Sequence, residues 1–245
     1  MGSKRPIKSV FILGSTSQVA VSICLELARQ GCKRFFLLAR NKTKNQNLVN
    51  QLRFQYDAYV TEEYLDLRDE KYSKELSIRK LNKFDLYLFT AGFLGDQISK
   101  QMTLEEELSV IKVNFSSLIP WLSKIVDSKR IDSPGKLWIF SSVASDRGRP
   151  SNYQYGAAKA ALNIFCEGLY MKCRNKPFSI RIIKAGYMKT PMARGAPSLL
   201  CISTDKVAKY LVNTSNRQGI EYFPRWWRII MSLIKILPPT LVSKL

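Results

Sequence analysis

The chain predicts an α/β fold, a doubly wound parallel sheet with helices on both faces, in a single domain. Three observations carry this. Short apolar runs alternate with helix-length amphipathic stretches along almost the whole chain. Those runs are apolar nearly throughout rather than at every second residue, as strands covered on both faces require. The length of 245 residues, 46% of them hydrophobic, suits one domain of the larger α/β kind.

Taken in order, Ile7–Leu13 is the first strand and ends at Gly14. A periodic apolar stretch from Val19 to Gln30 predicts a helix closed by Gly31. Arg34–Ala39 is the second strand, Leu48–Phe54 a helix, and Ala58–Leu65 the third strand, before Asp66. Glu70–Leu81 reads as helical, and Phe84–Thr90 as a fourth strand ending at Ala91-Gly92. Leu104–Val126 predicts a long helix with a kink or an early end at Pro120. Lys136–Ser141 is the fifth strand, Tyr153–Lys172 a long helix, and Phe178–Lys184 the sixth strand, ending at Ala185-Gly186. Thr204–Asn213 is helical and Ile220–Phe223 a short last strand. Sheets of this kind bind ligands at the carboxyl ends of their strands. Gly14, Asp66, Gly92, Ser142 and Gly186 all fall at such ends.

Composition narrows the chemistry. There is no histidine, which removes Ser-His-Asp hydrolysis, His-ligated metals and His acid–base catalysis. The five cysteines, Cys24, Cys32, Cys166, Cys173 and Cys201, lack metal-type spacing and read as small buried hydrophobes in a reducing compartment. Met1 to Pro6 has no apolar core of the signal-peptide kind, so a cytoplasmic location is expected. The net charge of +20 is extreme, and from Met171 onward fourteen Lys and Arg face only Asp205 and Glu221. Such a field favours anionic partners, from nucleotides to lipid phosphates, acidic membranes and nucleic acid. No nucleic-acid module is recognisable, so no such partner is expected.

Tyr155 and Lys159 lie four apart in a predicted helix and so share a face. A cation beside a phenol favours phenolate and draws its pKa down from the reference near ~10. Tyr155 is therefore expected to serve as a general acid or base. Ser142 stands thirteen positions upstream at a strand end.

These features resemble a short-chain dehydrogenase/reductase over roughly Lys8 to Phe223. The matching elements are the Gly14-Ser15-Thr16-Ser17 turn, Asp66, Thr90-Ala91-Gly92, Asn114, Ser142, Tyr155 with Lys159, and the Gly186 to Thr190 segment. The resemblance implies a Rossmann-type catalytic domain at 1–223, with 224–245 as an amphipathic extension. It also implies roles. Tyr155 exchanges a proton with the substrate oxygen, Lys159 tunes it and holds the nicotinamide ribose, Ser142 orients the carbonyl, and Asn114 supports a water relay. Gly14, Ser15, Ser17, Gln18 and Val19 surround the pyrophosphate, and Asp66 and Leu67 meet the adenine. Ala91 and Gly92 line the adenosine ribose, and Met188 and Thr190, beyond Gly186, meet the carboxamide. The chain departs from the family at Gln18 and Ala20, where glycines are usual, and at Ala185, where proline is. Gln18 adds bulk where backbone should approach phosphate. Arg40, at the end of the second strand, suits a 2′-phosphate, so NADPH is expected ahead of NADH. Homodimers or homotetramers pairing through the helices that hold Asn114 and Tyr155 are common among relatives.

A narrower resemblance, to polyprenylphosphoryl 2-keto-pentose reductases, rests on Ala91-Gly92-Phe93-Leu94-Gly95-Asp96, Ser145 to Asn152, and Arg225-Trp226-Trp227-Arg228-Ile229-Ile230 through Pro238. It implies an anionic or lipid-phosphate-linked sugar ketone used in surface polysaccharide synthesis. Pro224–Leu237 is too short to span a bilayer. It is either an interfacial helix at the inner face of a membrane or a helix buried on protein. The stretch between Thr190 and Thr204 is short and implies an open pocket, flanked by Arg147, Arg149, Lys189 and Arg194. Reductases of lipid, steroid or acyl ketones, and a non-catalytic nucleotide sensor, are the alternatives.

Overall fold

The computed structural model describes residues 5–69, 84–95, 102–127 and 129–243. The helix expected over Glu70–Leu81, and Asp96, lie outside them. The strands are β1 (Ser9–Leu13), β2 (Arg34–Ala39), β3 (Tyr59–Tyr64), β4 (Leu86–Phe89), β5 (Gly135–Ser142), β6 (Phe178–Ala185) and β7 (Gly219–Phe223). They form one parallel sheet in the order β3-β2-β1-β4-β5-β6-β7. Winding proceeds outward from β1 to β3, then returns to lay β4 on the other side of β1. The crevice above β1 and β4 is therefore the switch point where such sheets bind ligands.

The helices are α1 (Gln18–Arg29), α2 (Lys42–Tyr56), α3 (Leu104–Asn114), α4 (Ile119–Asp127), α5 (Tyr153–Cys173), α6 (Thr204–Asn213), α7 (Trp227–Ile236) and α8 (Pro239–Val242). Strand side chains alternate between two cores. Val10 and Ile12 of β1 face α1, α2 and α6, meeting Ile23, Leu27, Leu52 and Leu211. Phe11 and Leu13 face the other layer, with Leu122, Ile125 and Leu162 of α4 and α5. Cys24, Cys32, Cys166 and Cys173 are buried as expected, whereas Cys201 is half-buried.

Two helices depart from the sequence reading. α2 begins at Lys42 rather than Leu48, because Asn41 caps it and accepts from the Lys44 N–H at 2.8 Å. Its first turn is polar, so apolar periodicity was silent there. The expected long helix over Leu104–Val126 is two helices, α3 and α4, joined by a 3₁₀ turn at Ser116–Leu118. The break falls at Phe115, not at Pro120. Pro120 instead sits in the first turn of α4, where its missing N–H costs nothing.

Candidate active site

The turn between β1 and α1 is held from three sides. The Gly14 and Ser15 amides donate to the Leu38 carbonyl at 2.9 and 3.1 Å. The Thr90 hydroxyl donates to the Gly14 carbonyl at 2.9 Å. Gly14 has φ +92°, and a Cβ there would lie 2.5 Å from the Ala91 nitrogen, so only glycine lets β1 and β4 close the crevice floor. Ser15 is fully buried and its hydroxyl donates to Asn45 Oδ1 at 2.6 Å. Ser17 caps α1, accepting from the Ala20 N–H at 3.2 Å. Val19 packs into the core. Gln18, the first residue of α1, is exposed, so its bulk lies towards solvent. The turn thus keeps the helix N-terminus available to an anion despite the missing glycines.

At the far end, Arg40 is exposed at the β2 terminus. Asp66 is gripped by Arg68, whose Nη2 donates to Oδ2 at 2.6 Å and whose Nε donates to both carboxylate oxygens at 3.1 Å. Arg68 and Arg40 together hold the Asp66 carboxyl below its usual range, against the opposing effect of burial, which is the largest single influence on it. Leu67 packs on the α4 side and its carbonyl accepts from the Ser117 hydroxyl at 2.6 Å. A pocket of about 560 Å³ opens here between Tyr64, Asp66 and Arg68 and the Leu108–Lys112 face of α3. Sequence reasoning found Asp66 but missed Arg68 and α3, because no local motif marks a pocket wall supplied from forty residues away.

The catalytic end is assembled by β5 and α5. Gly156 lets α5 approach the Ser142–Asp146 turn, since a Cβ there would stand 2.9 Å from the Ala144 carbonyl oxygen. That contact fixes the start of α5, and with it Tyr155, beside the end of β5 where Ser142 lies, close enough for the Ser142 hydroxyl to act on the phenol. Ser142 Oγ also accepts from the Ala144 N–H at 3.1 Å. Lys159 is 2% exposed and donates to the Phe140 carbonyl at 3.1 Å, with its ammonium 5.8 Å from the Tyr155 ring centroid. Sequence, structure and chemistry part company here on one point. The expected drop in the Tyr155 pKa is not found: burial pushes the phenol up to about 12, against the opposing influence of the neighbouring Ser142 hydroxyl. Burial also lowers Lys159 to about 8. The ammonium engages a carbonyl rather than the phenol oxygen, so the lysine does not counter desolvation at Tyr155.

Asn114, fully buried at the end of α3, donates to the carbonyls of Phe93 at 2.5 Å and Val110 at 2.8 Å, and accepts from the Phe93 N–H at 3.3 Å. It clamps the strand of backbone that carries Ala91 and Gly92. Gly92 lies near Asn114 and Met192, at 3.4 and 3.7 Å from the position of a Cβ. Met188 pairs with Ile202, and the Lys189 N–H donates to the Ile202 carbonyl at 2.8 Å. The segment from Thr190 to Thr204 is therefore tied at both ends, with two short 3₁₀ turns between. Gly186 is overlain by the Trp227 indole, an α7 contact the sequence did not announce. Of the flanking cations, Arg147 donates to the Leu237 carbonyl at 3.1 Å and so ties down the tail. Lys189 and Arg194 are exposed, and Arg149 has a buried Nε without a partner among the described residues.

Known proteins share this fold. Residues 8–198 match the family model of the short chain dehydrogenases. An uncharacterized oxidoreductase of Streptomyces coelicolor is 23% identical over 243 residues, covering 98% of this chain and 96% of its own. Acetoacetyl-CoA reductase of Cupriavidus necator is 22% identical over 186 residues, covering 75% and 76%. A short-chain dehydrogenase from Sphingobium yanoikuyae, solved in complex with NADPH, superposes with a TM-score of 0.79 at 19% identity, covering 95% of this chain and 97% of its own. The chain belongs to the short chain dehydrogenase family. It is an NAD(P)-dependent oxidoreductase of that family.

Proposed function

We propose that the chain uses NADPH to reduce a ketone on a sugar carried by a polyprenyl phosphate or a nucleotide, a step of surface polysaccharide synthesis. The observation that carries the catalytic part is buried Lys159, held by the Phe140 carbonyl with its ammonium 5.8 Å from the Tyr155 ring centroid, at the carboxyl end of β5 where Ser142 lies. When bound, the cofactor supplies a hydride to the ketone carbon. Ser142 orients the carbonyl, and Tyr155, protonated throughout the neutral range, delivers the proton to its oxygen. Lys159 holds the nicotinamide ribose and Asn114 fixes the loop beside it. The β1–α1 turn receives the pyrophosphate on the amides of Gln18 and Val19, and Arg40, with Arg68 close by, favours a 2′-phosphate.

The anionic carrier is supported by exposed Lys189 and Arg194 at the start of the segment that runs to Thr204. A lipid-borne substrate further requires the enzyme to reach a membrane surface from the cytoplasm. An apolar ketone is the second reading, favoured by Met192 and Leu199, which are 46% and 96% exposed on that same segment. A homodimer or homotetramer through α3 and α5 is supported by exposed Leu104, Leu108, Ile164 and Met171.

The test is NADPH oxidation by the purified chain with a polyprenylphosphoryl keto-pentose, a nucleotide-linked keto-sugar and a steroid ketone. Turnover of either sugar, absent from Tyr155→Phe, upholds the proposal. Turnover of the steroid alone discards the sugar. NADPH binding without any turnover favours the sensor.

A further inference from the structure

Helix α7 has two apolar faces. The inner face, Trp227 and Met231, packs against Val143, Tyr187, Leu200 and Tyr222. The outer face carries Ile229, Leu233 and Ile236, which are 67%, 58% and 78% exposed. At 3.6 residues per turn these three stand on the side away from Trp227 and Met231. A surface helix ordinarily presents polar residues there. Arg228, Ser232 and Lys235 run between the two faces. Trp226, 37% exposed, stands at the start of the helix, stacked on Trp227 with ring centroids 4.9 Å apart.

The surroundings are cationic and their acids are already engaged. Asp205 accepts from the Ser22 hydroxyl at 2.8 Å, and Glu221 pairs with Arg181 at 2.6 Å. Asp146 is held by Lys184 at 2.6 Å, by the Tyr222 hydroxyl at 2.7 Å and by Lys235 at 3.5 Å. Arg225 and Arg228 stay exposed at the entrance to α7. A second copy seated on this same face would set its own Arg225, Arg228 and Lys235 against these three, which opposes self-association through α7. The occupant that complements both the apolar row and its cations is an anionic lipid surface, with the row at the acyl boundary, Trp226 at headgroup depth and the cations among the phosphates. Among the described residues no helix is long and apolar enough to cross a membrane, so α7 would lie on the surface.

We infer that the outer face of α7 and the Ser198–Leu200 turn form one docking patch for an anionic bilayer. Leu200 packs on the inner face of α7 while its neighbour Leu199 is 96% exposed, which joins the turn to the helix. Val143, beside Ser142, touches the same cluster. Docking therefore brings the segment from Thr190 to Thr204, which follows β6 and reaches Gly92 through Met192, to the membrane. The inference deepens the lipid-carried reading above and rests on it for the substrate, but its test uses none.

The full-length chain is sedimented with phosphatidylcholine vesicles and with vesicles also containing phosphatidylglycerol, at low salt. We expect binding to the anionic vesicles alone. The triple variant Ile229→Ser, Leu233→Ser, Ile236→Ser should bind at least about tenfold more weakly. Arg225→Glu with Arg228→Glu should do the same by charge. NADPH binding, read by fluorescence, should be unchanged in both and shows that they fold. Equal binding of wild type and both variants would overturn the proposal. So would absence of wild-type binding, or a wild-type dimer that the triple variant converts to monomer without vesicle binding. Vesicle binding without ketone turnover would leave the patch standing and sink only the enzymatic reading.

Discussion

The two ends of the cofactor crevice are built differently. On the β1–β3 side the polar groups already have protein partners: Ser15 with Asn45, Ser17 with the α1 amides, Thr90 with Gly14, Asp66 with Arg68. On the β5–β6 side the two titratable groups are held away from their ordinary values by burial, Tyr155 at about 12 and Lys159 at about 8. The first end is a finished receptor made mostly of backbone. The second sets a phenol beside a buried ammonium whose hydrogen bond goes to a backbone carbonyl. The comparison teaches that motif spacing predicts which side chains come together, while burial sets the direction of their pKa shifts.

The sharpest way to break this comparison is at its catalytic end. Tyr155→Phe should lower kcat by about 10²–10⁴ while NADPH affinity, read by fluorescence, stays within about twofold. A variant retaining most of its turnover would remove Tyr155 from the reaction. At the receptor end, Gly14→Val forces a β-branched residue to φ +92° and a Cβ onto Ala91. It should destabilise the chain by about 2–3 kcal/mol, seen as a fall in Tm, and abolish NADPH binding. A variant that melts like wild type would show that the turn is not rigid.

Smaller effects sharpen the account. Arg40→Asp should shift the ratio of kcat/KM for NADPH over NADH by about tenfold towards NADH. Lys159→Met should abolish turnover yet stabilise the cofactor-free protein near neutrality by on the order of 1–2 kcal/mol, net of the lost Phe140 hydrogen bond, seen as a higher Tm. The sign follows from the depressed pKa. Between the folded value near 8 and the ordinary 10.5 the unfolded chain holds more protons, so wild-type stability rises with pH across that window. In Lys159→Met that rise should shrink. Gln18→Gly should change NADPH affinity by less than about threefold, because the exposed side chain leaves the turn open.

Much of this was legible in the sequence for physical reasons. Apolar runs such as Phe11–Leu13 have to be strands buried on both faces, and the i, i+4 spacing of Tyr155 and Lys159 has to place them on one helix face. The start of α2 was not legible, because Asn41 acts through one hydrogen bond with no apolar period behind it. The break at Phe115 was misplaced because Pro120 is the stronger local signal, although in the first turn of a helix it is harmless. The clasp of Trp227 on Gly186 joins residues forty-one positions apart and has no local signature. The Tyr155 pKa was misjudged because a cation on the same face was assumed to face the phenol oxygen, whereas burial and the Phe140 carbonyl decide the matter.

A gain of partners by buried Lys159 when the cofactor binds is the expectation on which the two ends of the crevice meet. It is tested by calorimetry of NADPH binding at about pH 9, in two buffers of different ionisation enthalpy. Arriving phosphates and ribose hydroxyls give the Lys159 ammonium new partners and should restore its proton. The account predicts net uptake of up to about one proton per site in wild type and none in Lys159→Met. No uptake in wild type, or equal uptake in both, would contradict it.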